Sequence, residues 1–126
     1  MSPTDVQTIN DTYGAFGRGD IDAVLAVFAE DISWHAPDVL PHGGHAQGHA
    51  EVGAFFQRLG SMWSDFGLDI YDVVDGGDKV FARGRASGEL NDTESGYGFV
   101  HVFHFSDGKI AHFDEYVAPP PGGFPS

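Results

Sequence analysis

The sequence predicts an α+β fold in which helices cover one face of a mostly antiparallel sheet. Two observations favour it. Three segments with helical spacing of apolar residues occupy the first half of the chain, with one short strand among them. The second half is a series of strand-like segments that ends in a hairpin-forming stretch, 96–117. Helices followed by consecutive strands are typical of α+β domains and not of alternating βαβ units.

Two helices are predicted at the N-terminal end. The first begins at Ser2, with Pro3 at its first helical position, and the Gly-rich stretch 17–19 ends it. Asp20 caps the second helix. The apolar residues at helical spacing, which we expect to be buried, are Val6, Ile9, Tyr13 and Phe16 in the first helix and Ile21, Val24, Leu25 and Phe28 in the second.

The middle of the chain predicts a strand, a loop and a third helix. The strand covers about 32–36, and 37–48 is predicted as a loop because of its Gly, Pro and His residues. The helix runs over about 49–62. One side of this helix is apolar and carries Val52, Phe55, Phe56 and Leu59.

The remaining elements are strands. We predict strands over 66–74 and 79–90, joined by a turn-rich break, and a polar turn over 91–95. The hairpin 96–117 completes the sheet. Pro and Gly dominate 119–126, which is predicted as a tail without regular structure.

The hairpin has two possible registers. A three-residue loop over 106–108 would oppose His101 to Phe113, whereas a two-residue turn at 107–108 would oppose His101 to Asp114. We favour the three-residue loop because it gathers the aromatic residues on one face. That face would carry Tyr97, Phe99, His101, Phe103, Phe113, Glu115 and Val117.

Composition limits the class of protein. Hydrophobic residues make up 41% of the 126 residues, so we expect one globular domain over 1–118 followed by the tail. The net charge of −13 argues against nucleic acid and membrane surfaces as partners. No Cys, signal peptide or transmembrane-length apolar run is visible, so we expect a cytoplasmic protein.

Several motifs, which together cover nearly all of the chain except the tail, carry a family resemblance. They are 13–20, 23–25, 28–32, Trp34, Gly48, Val52, 55–56, 107–110 and 115–116. On these residues the chain resembles the SnoaL-like branch of the NTF2-like superfamily. That superfamily includes ketosteroid isomerases, limonene-epoxide hydrolases, polyketide cyclases and proteins that only bind. The resemblance implies a cone, in which a curved sheet wraps round three helices and a deep apolar pocket, usually in dimers.

The resemblance also implies positions for site residues. The isomerase base precedes the proline after the first strand. That position is Ala36 here, so this base is missing, and the position of the oxyanion-hole Asp is occupied by His101. The isomerase Tyr of helix 1 falls near Thr12, one step from Tyr13. In the epoxide hydrolases the last strand carries an acid two positions after an aromatic residue, and Glu115 fills that position here.

The chemistry of the residue types also favours Glu115 and His101 as site residues. A carboxylate among aromatic side chains suits proton transfer, and His101 on the same face would share the proton or bond a ligand carbonyl. Arg83 or Arg85 would stabilise an enolate, although this stretch lacks the Asp of the hydrolase motif. We therefore predict Glu115, His101 and Arg83 as catalytic residues. The residues predicted to bind substrate are Tyr13, Trp34, Phe55, Phe99, Phe103 and Phe113.

Each assignment has a structural alternative. Glu115 would instead pair with Arg83 or Arg85 and hold the open end of the sheet together. His101 and Trp34 would be ordinary core residues. The arginines would lie in solvent if the opposite face of their strand is the buried one, which reads Val80, Ala82, Gly84 and Ala86.

Four histidines cluster between residues 35 and 49, and histidine is a common metal ligand. The spacing of His35, His42, His45 and His49 matches no defined site, so we predict neither a metal nor another cofactor.

Three function classes stay open. The first is an enzyme of isomerase, cyclase or hydrolase type that performs cofactor-free acid/base chemistry on a small hydrophobic carbonyl or epoxide compound. The second is a non-catalytic protein that binds a small hydrophobic ligand, and the third is a protein-interaction module, which a large exposed apolar patch would favour. We also expect a homodimer through the outer face of the sheet, where the apolar residues are Val100, Val102, Ile110 and Tyr116.

Overall fold

In the computed structural model, which describes residues 3–126, three helices pack against one curved six-stranded sheet. The elements are α1 (Pro3–Gly17), α2 (Ile21–Ala26), β1 (Phe28–Ala36), β2 (Gly44–Gln47), α3 (Gly48–Met62), β3 (Trp63–Asp75), β4 (Lys79–Leu90), β5 (Thr93–Ser106) and β6 (Lys109–Ala118). The strand order is β2-β1-β6-β5-β4-β3, and every neighbouring pair is antiparallel except β1 with β6. The predicted α+β fold is therefore confirmed.

The boundary between α1 and α2 follows from local capping. The Asp20 carboxylate accepts a hydrogen bond of 3.2 Å from the N–H of Ala23, which satisfies a free donor in the first turn of α2. The predicted helix start at Ser2 lies outside the described residues. The assignment of Phe28 to α2 was wrong, because that helix ends two residues earlier and Phe28 is a buried residue of β1.

The strand β1 has two partners, one of which was not predicted. The stretch 37–48 was predicted as a loop, but four of its residues form the edge strand β2, in which Ala46 pairs with Trp34. So short a strand, rich in Gly and His, has too little local preference to be recognised and depends on pairing with β1. On its other side β1 runs parallel to β6, where Trp34 pairs with Phe113.

The β5–β6 hairpin has neither of the registers considered from the sequence. Its turn is the two-residue pair Asp107 and Gly108, with φ of 53° and 78°, which is typical of a type I′ hairpin. Phe105 pairs with Ile110, but the next residue along, His104, pairs with His112. Ala111 is therefore left unpaired as a β-bulge in β6. Both predicted partners of His101 were therefore wrong, because it pairs with Glu115.

The composition of the inner face was nevertheless predicted correctly. A two-residue turn shifts the pairing by one residue from the favoured register, and the bulge shifts it by one more, so the side chains return to the predicted faces. The residues of this face that are buried are Tyr97, Phe99, His101, Phe103, Phe113 and Glu115.

The outer face of the sheet keeps some of the apolar residues expected there. Tyr116 is 63% exposed, but Ile110 is fully buried, so its assignment to the outer face was wrong. Ile110 lies on the turn side of the bulge, where it pairs with Phe28 of β1. Val102 is also buried, at 8% exposure.

Residues 119–126 contain no helix or strand. The ring of Phe124 nevertheless packs edge-on against Trp63 and Tyr97, at centroid distances of 6.3 and 5.7 Å. The tail therefore closes over one end of the core. Among the described residues, no helix combines the length and apolar character needed to cross a membrane.

Candidate functional site

An apolar cavity of about 70 Å³ lies between the helices and the inner face of the sheet. The predicted pocket residues that line it are Tyr13, Trp34, Phe55, Phe103 and Phe113. The polar side chains that line it are Thr12, Tyr13, His42, Tyr97, His101 and Glu115. The Thr12 hydroxyl donates to the Thr8 carbonyl over 2.6 Å, so this residue serves the helix. The remaining polar groups form two hydrogen-bonded sets.

The first set is a chain of three side chains from three elements. Tyr13 of α1 places its hydroxyl 2.6 Å from Nδ1 of His101 on β5. Nε2 of His101 is 3.0 Å from Oε2 of Glu115 on β6. His101 and Glu115 are each 7% exposed, so both are withdrawn from water. The predicted meeting of Glu115 and His101 in the pocket is thus what the structure contains, and Tyr13 extends it.

The protonation of Tyr13 gives this chain a direction. Burial, together with the nearby Glu115 charge, raises the pKa of Tyr13 well above its ordinary value, so the phenol keeps its proton. The hydroxyl of Tyr13 then donates to Nδ1, and the Nε2–H of His101 donates to the Glu115 carboxylate. This arrangement keeps the buried carboxylate hydrogen-bonded while the phenolic oxygen can still accept a bond.

Phe99 supports this chain instead of lining the cavity. Its ring stacks on the imidazole of His101 at a centroid distance of 4.0 Å and an angle of 14°. Unlike the other predicted substrate-binding residues, Phe99 is not part of the cavity wall, because its ring lies against the imidazole. Phe113 contacts the imidazole edge-on at 5.0 Å, so two aromatic rings fix its orientation.

The assignment of Arg83 to the catalytic group was wrong. Its guanidinium lies on the outer face of β4, is 61% exposed and pairs with the Asp72 carboxylate at 2.8 Å. Arg85 is exposed on the same face. The alternative set out above is correct, because β4 buries the four residues that alternate with these arginines. Within residues 3–126 no Arg or Lys pairs with Glu115, so the suggested structural ion pair is also wrong.

The second polar set was missed by sequence reasoning. His42, 2% exposed, accepts a hydrogen bond of 3.1 Å at Nδ1 from the indole N–H of Trp63. Its Nε2 is 3.4 Å from the hydroxyl of Tyr97. A tight turn directs His42 inward, since a Cβ on Gly43 would lie 2.0 Å from the carbonyl oxygen of Pro37. Nothing in the Gly- and Pro-containing stretch marks a buried histidine.

Burial lowers the pKa of His42 from 6.5 to about 4, with Arg58 adding to the effect and Glu115 opposing it. The unfolded chain therefore takes up a proton that the folded chain refuses as the pH falls from 6.5 towards 4. The resulting loss amounts to about 3 kcal/mol of unfolding free energy by pH 4.

We expect His42→Gln to remove this part of the acid sensitivity. The variant should be less stable than the wild type near neutral pH, and the difference should shrink by about 3 kcal/mol towards pH 4. Urea unfolding at several pH values measures it. His45→Gln, which replaces an exposed histidine, is the control. A stability difference between wild type and His42→Gln that stays constant with pH would contradict the prediction.

Trp34, which lines the cavity, carries a buried donor without a partner. It is 6% exposed and stacks on Phe113 at a centroid distance of 4.0 Å. Its indole N–H has no hydrogen-bond acceptor among the described residues. A buried donor left without an acceptor costs about 1–3 kcal/mol. An oxygen atom of a ligand in the cavity would recover that cost.

The four histidines considered as metal ligands do not meet. His35 and His45 stack on each other at 4.2 Å. His42 lies in the cavity wall, and His49 bonds the carbonyl of Phe28 over 2.9 Å. Their positions give these four residues no common centre.

Comparison with known proteins places this geometry among related folds. A family model described as SnoaL-like domain matches residues 9–113. The structure of an NTF2-like protein of unknown function from Burkholderia pseudomallei is 30% identical with a TM-score of 0.85, over 94% of this chain and 92% of that one. No curated protein matches the chain.

Two further solved structures are more distant and show the fold alone. TerC, co-crystallised with polyporic acid, is 24% identical over 90% of each chain, with a TM-score of 0.81. A putative polyketide cyclase from Sinorhizobium meliloti is 19% identical over 87% of this chain and 94% of that one, with a TM-score of 0.70.

Proposed function

Because the chain belongs to the SnoaL-like domain family, we propose that its cavity binds a compact, mostly apolar carbonyl compound and moves a proton on it without a cofactor. The observation that carries the proposal is the buried hydrogen-bonded chain of Tyr13, His101 and Glu115 in the wall of an otherwise apolar cavity. Convergent titratable groups in an apolar pocket are the usual mark of acid/base catalysis.

The cavity walls support this class of ligand. Most of the residues that line the cavity are aromatic. The buried N–H of Trp34 lacks an acceptor, which a ligand oxygen would supply. A volume of about 70 Å³ suits a compact molecule. A larger ligand would displace Phe16, Phe56 or Phe66, which line the cavity and are only partly buried. The co-crystallisation of TerC with polyporic acid supports an organic ligand in this fold.

Glu115 is the proposed base. Its Oε2 is held by His101, so Oε1 would take the proton from the carbon next to the substrate carbonyl. The electron pair of the broken C–H bond moves to the carbonyl oxygen, and the hydroxyl of Tyr13 would turn to donate to that oxygen. In a simple ketone the proton returns to the same carbon, whereas in a β,γ-unsaturated carbonyl compound its return from Glu115 to the γ-carbon moves the double bond and completes an isomerisation. The described cavity wall contains one carboxylate, which favours this chemistry over epoxide hydrolysis by a carboxylate pair.

Hydrogen–deuterium exchange tests the proposal. Compact cyclic ketones and diketones are incubated with the protein in heavy water, and deuterium at the α-carbon is followed by NMR. We expect at least one compound to exchange faster with the protein than without it and, in a parallel sample in ordinary water, to shift the indole N–H signal of Trp34. Binding without faster exchange would favour the alternative function, a small-molecule-binding protein with the same pocket. If neither binding nor faster exchange is observed, a protein-interaction module becomes the favoured function.

Trp34→Phe is expected to weaken ligand binding about fivefold, because it removes one neutral hydrogen bond worth about 1 kcal/mol. The ring still packs on Phe113, and the unbonded buried N–H is gone, so the melting temperature should fall little. Calorimetric titration with a compound that shifts the Trp34 signal measures the affinity. Equal affinity in the variant and the wild type would contradict the role of the indole N–H.

We further propose that two copies associate through the outer face of the sheet. Tyr71, Phe81 and Tyr116 are 50%, 38% and 63% exposed there. Large aromatic residues on one sheet face are typical of an interface between proteins. Light scattering at micromolar concentration should give twice the mass of the chain. A monomer, or a dimer that survives Tyr116→Glu unchanged, would contradict this surface.

A further inference from the structure

A second group of ionisable side chains lies on the outer face of the sheet, away from the cavity. It consists of His104 on β5 with His112 and Asp114 on β6, and one potential ligand atom from each lies within 4.8 Å of the others. Oδ2 of Asp114 is 3.0 Å from Nε2 of His112 and 3.6 Å from Nε2 of His104. All three side chains are partly buried, with 20–39% of each exposed in the single chain.

We propose that His104, His112 and Asp114 bind a divalent transition-metal ion, with Zn²⁺ as the expected ion. Metal–ligand distances of about 2.0–2.2 Å in a tetrahedral centre require ligand atoms about 3.3–3.5 Å apart. The two observed distances to Asp114, 3.0 and 3.6 Å, lie on either side of that range, and the ligand atoms of the two histidines lie within 4.8 Å of each other. Two imidazoles and one carboxylate favour Zn²⁺, Co²⁺ or Ni²⁺ over Mg²⁺ and Ca²⁺.

The backbone holds these ligands in place before any ion binds. His104 and His112 are cross-strand partners, and Asp114 follows His112 by two residues on the same face. Both strands are internal to the sheet, with β4 and β1 as their outer neighbours. The bulge at Ala111 is essential, because without it His112 would lie on the inner face. Ligands on paired internal strands are positioned more precisely than ligands on loops.

A fourth residue supports the same carboxylate. Nδ1 of His35 is 3.5 Å from Oδ1 of Asp114, the oxygen that does not face the other two imidazoles. Its ring is in turn stacked on His45. A partner on the far oxygen of a ligating carboxylate fixes its orientation, and loss of such a partner typically weakens metal binding 10–100-fold. The chain's net charge of −13 also favours cations near its surface.

The sequence-based prediction that no metal binds rested on four other histidines and did not include His104 or His112. A hydrogen-bonded His–Asp group without any ion is the competing explanation of the geometry. It accounts for the 3.0 Å contact of His112 with Asp114. It does not account for the third imidazole, that of His104, at 3.6 Å from the same oxygen. Metal binding would use all three groups, and one potential ligand atom of each lies within 4.8 Å of the others.

Calorimetric titration of tag-free, metal-stripped protein with Zn²⁺ alone tests the proposal. We expect one ion to bind per chain in the wild type, and no stoichiometric binding in His104→Ala or Asp114→Asn. His35→Ala should bind one ion 10–100-fold more weakly. His49→Ala is the matched control, because it removes a histidine that bonds the Phe28 carbonyl instead of Asp114 or His35, and it should bind like the wild type.

Co²⁺ gives a second readout that misfolding does not imitate. We expect the wild type and His49→Ala to give the intense visible absorption of a four-coordinate ion, which His104→Ala should lack while circular dichroism shows an unchanged fold. No saturable binding by the wild type would overturn the proposal. Binding that is the same in the wild type, His104→Ala and Asp114→Asn would overturn it too, because the ion would then lie elsewhere.

Discussion

Glu115→Gln is expected to lower proton exchange in the cavity by about 10²–10⁴-fold, the usual contribution of a general acid or base. The amide is nearly isosteric with the carboxylate but cannot take a proton from carbon at neutral pH. The exchange assay with cyclic ketones in heavy water measures the effect directly. The affinity for the same ketone should change far less, because the aromatic walls and the N–H of Trp34 are intact.

The fold should survive this substitution because of what Glu115 contacts. Its partner is the Nε2–H of His101, to which a Gln carbonyl oxygen can also serve as acceptor. An arginine partner would have been left buried and unpaired, at a cost of roughly 3–5 kcal/mol. Since Arg83 lies on the outer face instead, we expect the melting temperature to fall by only a few degrees.

Glu94→Gln is the matched control for this experiment. It makes the same chemical change at an exposed carboxylate of β5 that takes no part in the cavity wall, so exchange should continue at the wild-type rate. A stable Glu115→Gln variant with undiminished exchange would contradict the catalytic role of this residue. The binding function would then be the better account of the pocket.

Alternation and helical spacing were enough to predict the fold and the composition of the pocket face. Most of the residues at alternate positions on the inner face of β5 and β6 are large aromatics, and only one facing of the two strands buries them. The favoured register missed both the two-residue turn and the bulge. These two errors cancel in their effect on which face of the sheet each side chain occupies, but not in their effect on which residues are cross-strand partners. The pairing of His101 with Glu115 depends on the bulge at Ala111, which no local preference announces.

Positions fixed by tertiary contacts were not accessible from the sequence. Arg83 could face either way until the alternation of β4 was placed against the helices, and the small residues between the arginines turned out to be the buried ones. His42 enters the core because a turn at Gly43 and the strand β2 direct it there. The convergence of His104 and Asp114 likewise needs the bulge. All three depend on backbone geometry set by distant pairing.

Phe113→Ala should cause a large loss of stability. Phe113 is 2% exposed and lies at the centre of the pocket aromatics, stacked on Trp34 at 4.0 Å and packed against Phe103 at 5.2 Å. Removing a fully buried phenyl ring typically costs 3–5 kcal/mol because its contacts are lost and a cavity remains. For a chain of this size the melting temperature should fall by roughly 10–20 °C.

Thermal unfolding of Phe113→Ala beside Val39→Ala separates this effect from a general loss of apolar side-chain area. Val39 is 51% exposed and lies outside the proposed dimer surface, so its truncation should cost less than about 1 kcal/mol. The space left by Phe113 adjoins the cavity and is lined by apolar side chains, so a compact aromatic compound such as toluene should bind there. It should raise the melting temperature of Phe113→Ala more than that of the wild type. Equal losses in the two variants, or no recovery with toluene, would mean that Phe113 does not form the wall between the sheet and the pocket.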